Sequence, residues 1–325
     1  MNQISIKDAP PQDSVSSLHF SPIDPFILEA TSWDNFARIW QIDGSVAKIM
    51  LHLELQEPPL CSAWSADSRV LFIGGANNKV TAWDVSTNQQ QDVAEHLAPI
   101  KEVFVVPEVD NLLITGGWDK AIRFWDLRQP NLVFEYTQIQ KIFSMDVKYP
   151  LLVAADSQRK IYSFDITSTP SLYNTIDSPM KYQTRVVRIF NEKDGYAIGS
   201  IDGRVGINYL TDSSPSFQFR CHRNQKHEVF GINDISFHPK FGTFATVGSD
   251  GEFFFWCKNS RTRTSAGPHR YNKPITKCDF NNDGSLFAFS VCDDWHMGTP
   301  NSSLNTTDIY LYNPPESEVK DKPKK

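Results

Sequence analysis

Cys221, His222 and His227 fall within seven positions and bring together one thiol and two imidazoles. A tetrahedral metal site needs a fourth ligand, and none stands at a suitable spacing, so the cluster does not read as a metal centre. Two segments, Gly199-Ser200-Ile201-Asp202-Gly203 and Gly248-Ser249-Asp250-Gly251, have the composition of phosphate-cradling loops. Each is followed by a strand pattern and not by the helix whose N-terminus would face a phosphate. There is no G-x-S-x-G elbow, H-E-x-x-H helix or Walker loop. The residue types therefore assemble no nucleophile, metal or cofactor site, and the chain reads as non-enzymatic.

The elements that would position these residues are repeats. Arg38-Ile39-Trp40, Thr81-Ala82-Trp83-Asp84, Arg123-Phe124-Trp125-Asp126, Tyr162-Ser163-Phe164-Asp165 and Phe254-Phe255-Trp256 are five copies of one strand ending in an aromatic. Gly206-Ile207-Asn208-Tyr209 and Tyr310-Leu311-Tyr312 are weaker copies that make seven. A period near ~43 residues is that of WD-type β-propeller repeats, each a four-stranded blade. The expected fold is all-β, a single seven-bladed WD40 propeller over residues 1–313. Too little chain follows Tyr312 to complete the last blade, so the alternating Gln3-Ile4-Ser5-Ile6-Lys7 is expected to supply its outer strand and close the ring. Residues 314–325, rich in Pro, Glu and Lys, read as a disordered charged tail.

Turn residues Asp34, Asn77, Asp119, Asp202 and Asp250 stand about six places before the repeat aromatics, where short polar side chains bond back to the backbone. In the third repeat His96, Thr115, Asp119 and Trp125 fit the buried hydrogen-bonded tetrad common in WD repeats, which makes His96 structural. The fourth and seventh repeats have Gln158 and Thr306 at the acidic offset and break the pattern.

A net charge of −6 and a pI near 5.8 exclude a wholly electrostatic nucleic-acid binder. The five cysteines are odd in number and scattered, as in a reduced compartment. No apolar run reaches the ~18 residues of a membrane span. Without a secretory leader, Asn301-Ser302-Ser303 and Asn305-Thr306-Thr307 are expected to be idle as glycosylation sites. A propeller is a platform, so function falls to its surface. Trp33, Trp118 and Trp295 lie outside the repeat core and suit interface anchors. Lys181, Arg185, Arg188, Arg220, His222, Arg223, Lys226, Lys258, Arg261, Arg263 and Arg270 concentrate between positions 181 and 270. Together they suggest a basic patch that would take acidic peptide or single-stranded RNA.

Ser178-Pro179-Met180-Lys181, Gly199–Val205, Phe219-Arg220-Cys221-His222-Arg223, Ser236-Phe237-His238-Pro239, Ala245–Gly251 and Asp294-Trp295 resemble the nuclear messenger-RNA export propellers of the RAE/GLE type. The resemblance spans essentially the whole chain. A sister family of mitotic-checkpoint propellers, which bind kinetochore peptides, shares several of these stretches. Phe241-Gly242-Thr243, Phe254-Phe255-Trp256 and the Asp-Trp-x-x-Gly of Asp294 to Gly298 favour the export family. The resemblance implies an adaptor at the nuclear pore and envelope, shuttling to the cytoplasm. It would be a monomer or a heterodimer with the GLEBS segment of a phenylalanine-glycine nucleoporin. Arg223 is implied as the partner of a glutamate in that segment, and Trp295 as an exposed groove residue. Arg220, His222, Lys258, Trp33 and Trp118 are the further candidate contacts. Met297-Gly298-Thr299-Pro300 and the short loop Asn224–Val229 depart from the family pattern.

Overall fold

The computed structural model describes residues 3–129, 131–211, 215–265, 267–298 and 306–321. Residues 301–305, which hold both candidate glycosylation asparagines, and 322–325 lie outside the described residues.

Seven antiparallel sheets form the blades of a closed propeller. The first comprises the strands Val15–Phe20, Ile27–Ser32, Phe36–Asp43 and Val46–Glu54, and the next five repeat this order, the sixth with its outer strand in two pieces, Thr262–Arg263 and His269–Arg270. The first strands of successive blades pack on one another around the axis, and the fourth strands lie outermost. Among the described residues the seventh blade has three strands of its own. Gln3–Ser5 adds the fourth in antiparallel register, Gln3 opposite Tyr312 and Ser5 opposite Tyr310. The expected closure is therefore present, and both ends of the described chain meet in one sheet.

Burial explains why the repeats read as they do. Second strands such as Leu112–Gly117 and Phe244–Gly248 are packed on both faces, so they carry little alternation. The repeat aromatic sits opposite a large apolar residue of the second strand, Trp40 on Leu28, Trp125 on Leu113 and Trp256 on Phe244. In blade five this register places Asn208, not Tyr209, opposite Tyr196. The weak repeat is thus a true substitution of the aromatic, and Tyr209 points elsewhere, edge-on to Phe190 at 5.4 Å.

Buried polar side chains join neighbouring blades. Asp146 accepts from the Ile189 amide at 2.6 Å, Asp279 from the Phe20 amide at 3.0 Å, and the Ser236 hydroxyl from the Phe280 amide at 3.2 Å. Each bond reaches the first strand of the next blade, which fixes the rotation from blade to blade.

The disordered tail is corrected over 314–321. Glu316–Val319 forms a helical turn whose Val319 is buried in the aromatic core of the sixth and seventh blades. The Thr243 hydroxyl donates to the Val319 carbonyl, and Glu318 accepts from Tyr312 at 3.0 Å and meets His269 at 3.1 Å. One apolar side chain and one carboxylate are enough to hold a segment whose composition suggests disorder.

Candidate functional site

The upper face is the end carrying the turns between second and third strands, and there the central channel opens into a funnel of about 770 Å³. Its mouth is built by a device repeated in every blade. The first strand of each carries a β-bulge near its start, so one residue per blade has no partner in the ladder. These residues are Ser16, Leu60, Lys101, Phe143, Arg185, Asn233 and Thr276, and all seven line the funnel. A bulge bends the strand and re-aims the side chain, here toward the axis. Below the mouth lies a polar chamber of about 350 Å³ containing the Arg188–Asp234 ion pair at 2.7 Å.

The structure brings Trp33, Trp118 and Trp295 to the rim of this one funnel. Trp33 and Trp118 occupy equivalent places, their amides donating to the carbonyls of Ser14 and Pro99 at 2.9 Å. Trp33 and Trp295 are 45% and 43% exposed. The Trp295 indole donates to the Ser14 hydroxyl at 3.2 Å, and its backbone φ of 59° is held by the Asp293 carboxylate accepting from its amide at 2.8 Å. The Trp118 indole N–H is buried with no hydrogen-bond partner among the described residues. Around the rim the upper loops also expose Leu97, Tyr182, Ile201, Val229 and Met297. The lower face exposes only three large apolar side chains among the described residues, Ile23, Phe26 and Val46, all in blade one.

The cations divide, and Lys181, Arg220, Arg223 and Lys226 are the ones exposed in the upper loops and at the upper end of blade five. Arg220 and Arg223 are exposed at the upper end of blade five and in the loop after it, with an Arg223 Nη donating to the Asp202 carbonyl at 2.9 Å. Lys258 is a correction: it lies at the lower end, buried, with its ammonium 3.2 Å from Glu192 and over the Phe190 ring at 5.0 Å. Arg188 is committed to Asp234 in the chamber and Arg270 to Glu252. Arg185 stands in the funnel.

His222 is the second correction. It is 1% exposed, its Nδ1 donates to Asp250 at 2.8 Å, and its Nε2 meets the Thr246 hydroxyl at 2.9 Å. Trp256 donates to the same hydroxyl at 2.9 Å. The arrangement repeats that of blade three. There His96 Nδ1 donates to Asp119 at 2.9 Å, His96 Nε2 meets Thr115 at 2.7 Å, and Trp125 donates to Thr115 at 2.9 Å. Burial holds the His96 pKa below its usual value while Asp119 opposes. A histidine spent in this way can neither bind a partner nor act as a base. Blade four dispenses with the tetrad differently: Asp156, two positions before Gln158, accepts from the Gln158 and Lys160 amides and from Tyr162.

The glycines of the two apparent phosphate loops are structural. Gly203 has φ +62°, and a Cβ there would lie 2.7 Å from the Cys221 carbonyl. Gly251 has φ +72°, with the Lys273 carbonyl at 2.5 Å. Both turns close against the next loop and leave no cradle.

Residues 4–41 and 96–126 match the family described as "WD domain, G-beta repeat". "Protein RAE1" of Arabidopsis thaliana is 42% identical over 97% of this chain and 91% of its own length. "Poly(A)+ RNA export protein" of Schizosaccharomyces pombe is 37% identical over 97% and 92%. The chain belongs to the RAE1 family of messenger-RNA export propellers. A solved structure titled "Structure of U3-55K" superposes with a TM-score of 0.80 over 96% of this chain and 98% of that one. At 14% identity it shares the fold alone. Within the RAE1 family, membership carries a role in messenger-RNA export, and no helix among the described residues is long and apolar enough to cross a membrane.

Proposed function

We propose that this RAE1-family propeller is a non-enzymatic adaptor at the nuclear pore whose upper face binds the extended GLEBS segment of a nucleoporin. The observation that carries the reading is the concentration of exposed apolar side chains on that face: Trp33, Leu97, Tyr182, Ile201, Val229, Trp295 and Met297 around one open funnel. Exposed apolar side chains gathered at one end of a fold are a mark of an interface. Arg223, exposed beside Val229 and Ile201, is the charged anchor for a glutamate of the segment. Single-stranded RNA is a weaker second ligand in this reading, supported by the exposed Arg220 and Arg223 and the indole faces of Trp33 and Trp295.

Calorimetric titration with a GLEBS peptide, beside a phosphorylated kinetochore-repeat peptide, tests it. Submicromolar affinity for the GLEBS peptide alone is expected. Arg223→Ala should weaken it roughly thirtyfold, the cost of ~2 kcal/mol for losing one partner of an interfacial charge pair. Preference for the kinetochore peptide would move the protein to the checkpoint role, and an unchanged affinity for Arg223→Ala would remove that residue from the contact.

A further inference from the structure

The ring of bulge residues at the funnel mouth is divided in two by its chemistry. In blades six, seven and one, the side chains of Asn233, Thr276 and Ser16 each donate to a first-strand carbonyl of the next blade. The bonds reach Ile275 at 3.0 Å, Val15 at 3.3 Å and Pro59 at 2.6 Å. Those side chains are spent in closing the wall. In blades three to five the equivalent positions hold Lys101, Phe143 and Arg185, which are half-buried and face the funnel.

The cations of this second half are incompletely partnered. Arg185 makes no side-chain hydrogen bond or ion pair among the described residues, and Lys101 meets only its neighbour Glu102, at 3.2 Å. Lys277, also in the funnel, makes no side-chain hydrogen bond or ion pair among the described residues, and burial lowers its pKa while Asp234 opposes. Half-burying a guanidinium without a counter-ion is unfavourable, so the site is incomplete as it stands. The carboxylates of the funnel, Asp13, Asp293 and Asp294, come from the opposite rim, in blades seven and one. They would repel an anion from that side and disfavour a polyanion anywhere in the mouth. A single carboxylate on an apolar stem fits what remains, with Phe143 and Trp118 to pack against.

We propose that the channel mouth is a socket for one acidic side chain of the docked segment, its carboxylate held by Arg185 and Lys101 and its stem lying on Phe143 and Trp118. The proposal rests on the reading of the upper face as a peptide-docking surface and adds an anchor on the axis, distinct from Arg223 on the periphery. Two charged anchors at fixed places determine which way the segment runs across the ring.

A double-mutant cycle tests the socket. Wild type, Arg185→Gln and Lys101→Gln are titrated with the GLEBS peptide and with versions in which each acidic residue in turn becomes its amide. Arg185→Gln should weaken the parent peptide about tenfold, as for a hydrogen bond to a charged group. One amide peptide should bind Arg185→Gln and wild type alike, and its position should differ from the one coupled to Arg223. Arg185→Gln alone should melt no lower than wild type, since its charge has no partner among the described residues. Parent-peptide affinity unaffected by Arg185→Gln, or a loss equal for every peptide, would overturn the socket while leaving the docking reading intact. Wild type that binds none of the peptides would overturn both. If Arg185→Gln weakened a single-stranded oligouridylate and not the peptide, the cation would belong to a phosphate site and the socket would fall.

Discussion

At the scale of single residues, the clearest lesson is that His222 and His96 do the same work. Each is buried and held between an aspartate and a threonine that also takes a tryptophan N–H. A valine in place of either threonine keeps the shape but leaves an imidazole nitrogen and an indole N–H without partners. Thr115→Val and Thr246→Val should each destabilise the fold by about 1–3 kcal/mol, read as a lower midpoint in denaturant, and the peptide affinity of the folded protein should be unchanged. A peptide defect in Thr246→Val at full stability would return His222 to the interface. The second tetrad was in fact legible: Thr246 and Asp250 precede Trp256 by ten and six places, as Thr115 and Asp119 precede Trp125. The distance from histidine to threonine, 24 places against 19, hid it. The extra residues lie in the loop after His222, and a loop can lengthen without moving its ends.

At the scale of elements, the strands were readable because each repeat ends in an aromatic and begins after a polar turn. The bulges were not. One extra residue in a six-residue strand leaves the apolar pattern almost unchanged, yet it decides that Arg185 faces the axis and not a neighbouring blade. Glu29 shows a similar blindness to burial. It sits in the second strand of blade one, fully buried, accepting from the Ser62 hydroxyl at 2.7 Å while its other carboxylate oxygen has no partner among the described residues. Burial raises its pKa to about 8. The folded state then keeps a proton that the unfolded chain releases near the ordinary carboxylate pKa. Stability from this group is lost as pH rises between those two values, at up to about 1.4 kcal/mol per pH unit. Glu29→Gln should therefore gain stability relative to wild type as pH goes from about 5 to about 8. Chemical denaturation of both proteins at several pH values checks this, and a constant difference would show that the carboxyl is already ionised in the fold.

At the scale of the whole molecule, closure by the N-terminal strand followed from counting strands, and the structure has it. The basic patch holds only in part, for a reason that also concerns the whole. A six-residue strand spans roughly 20 Å, and the chain reverses at every turn, so cations close in sequence alternate between the two faces. Arg223 and Lys258 end at opposite faces of the ring, one exposed and one buried against Glu192. What gathers on the upper face is apolar surface, because the turns and blade-to-blade connections that carry it all emerge there. The proposed docking face is therefore read from where the loops emerge, which composition alone does not show.

Hydrogen exchange of the full chain with and without a GLEBS peptide tests the central claim most directly. The account predicts slowed exchange in the upper loops around Trp33, Leu97, Trp118, Tyr182, Arg223 to Val229 and Trp295, and none in the lower loops around Pro22 to Phe26 or Glu192 to Asp194. Protection confined to the lower loops or to the outer strands would contradict it.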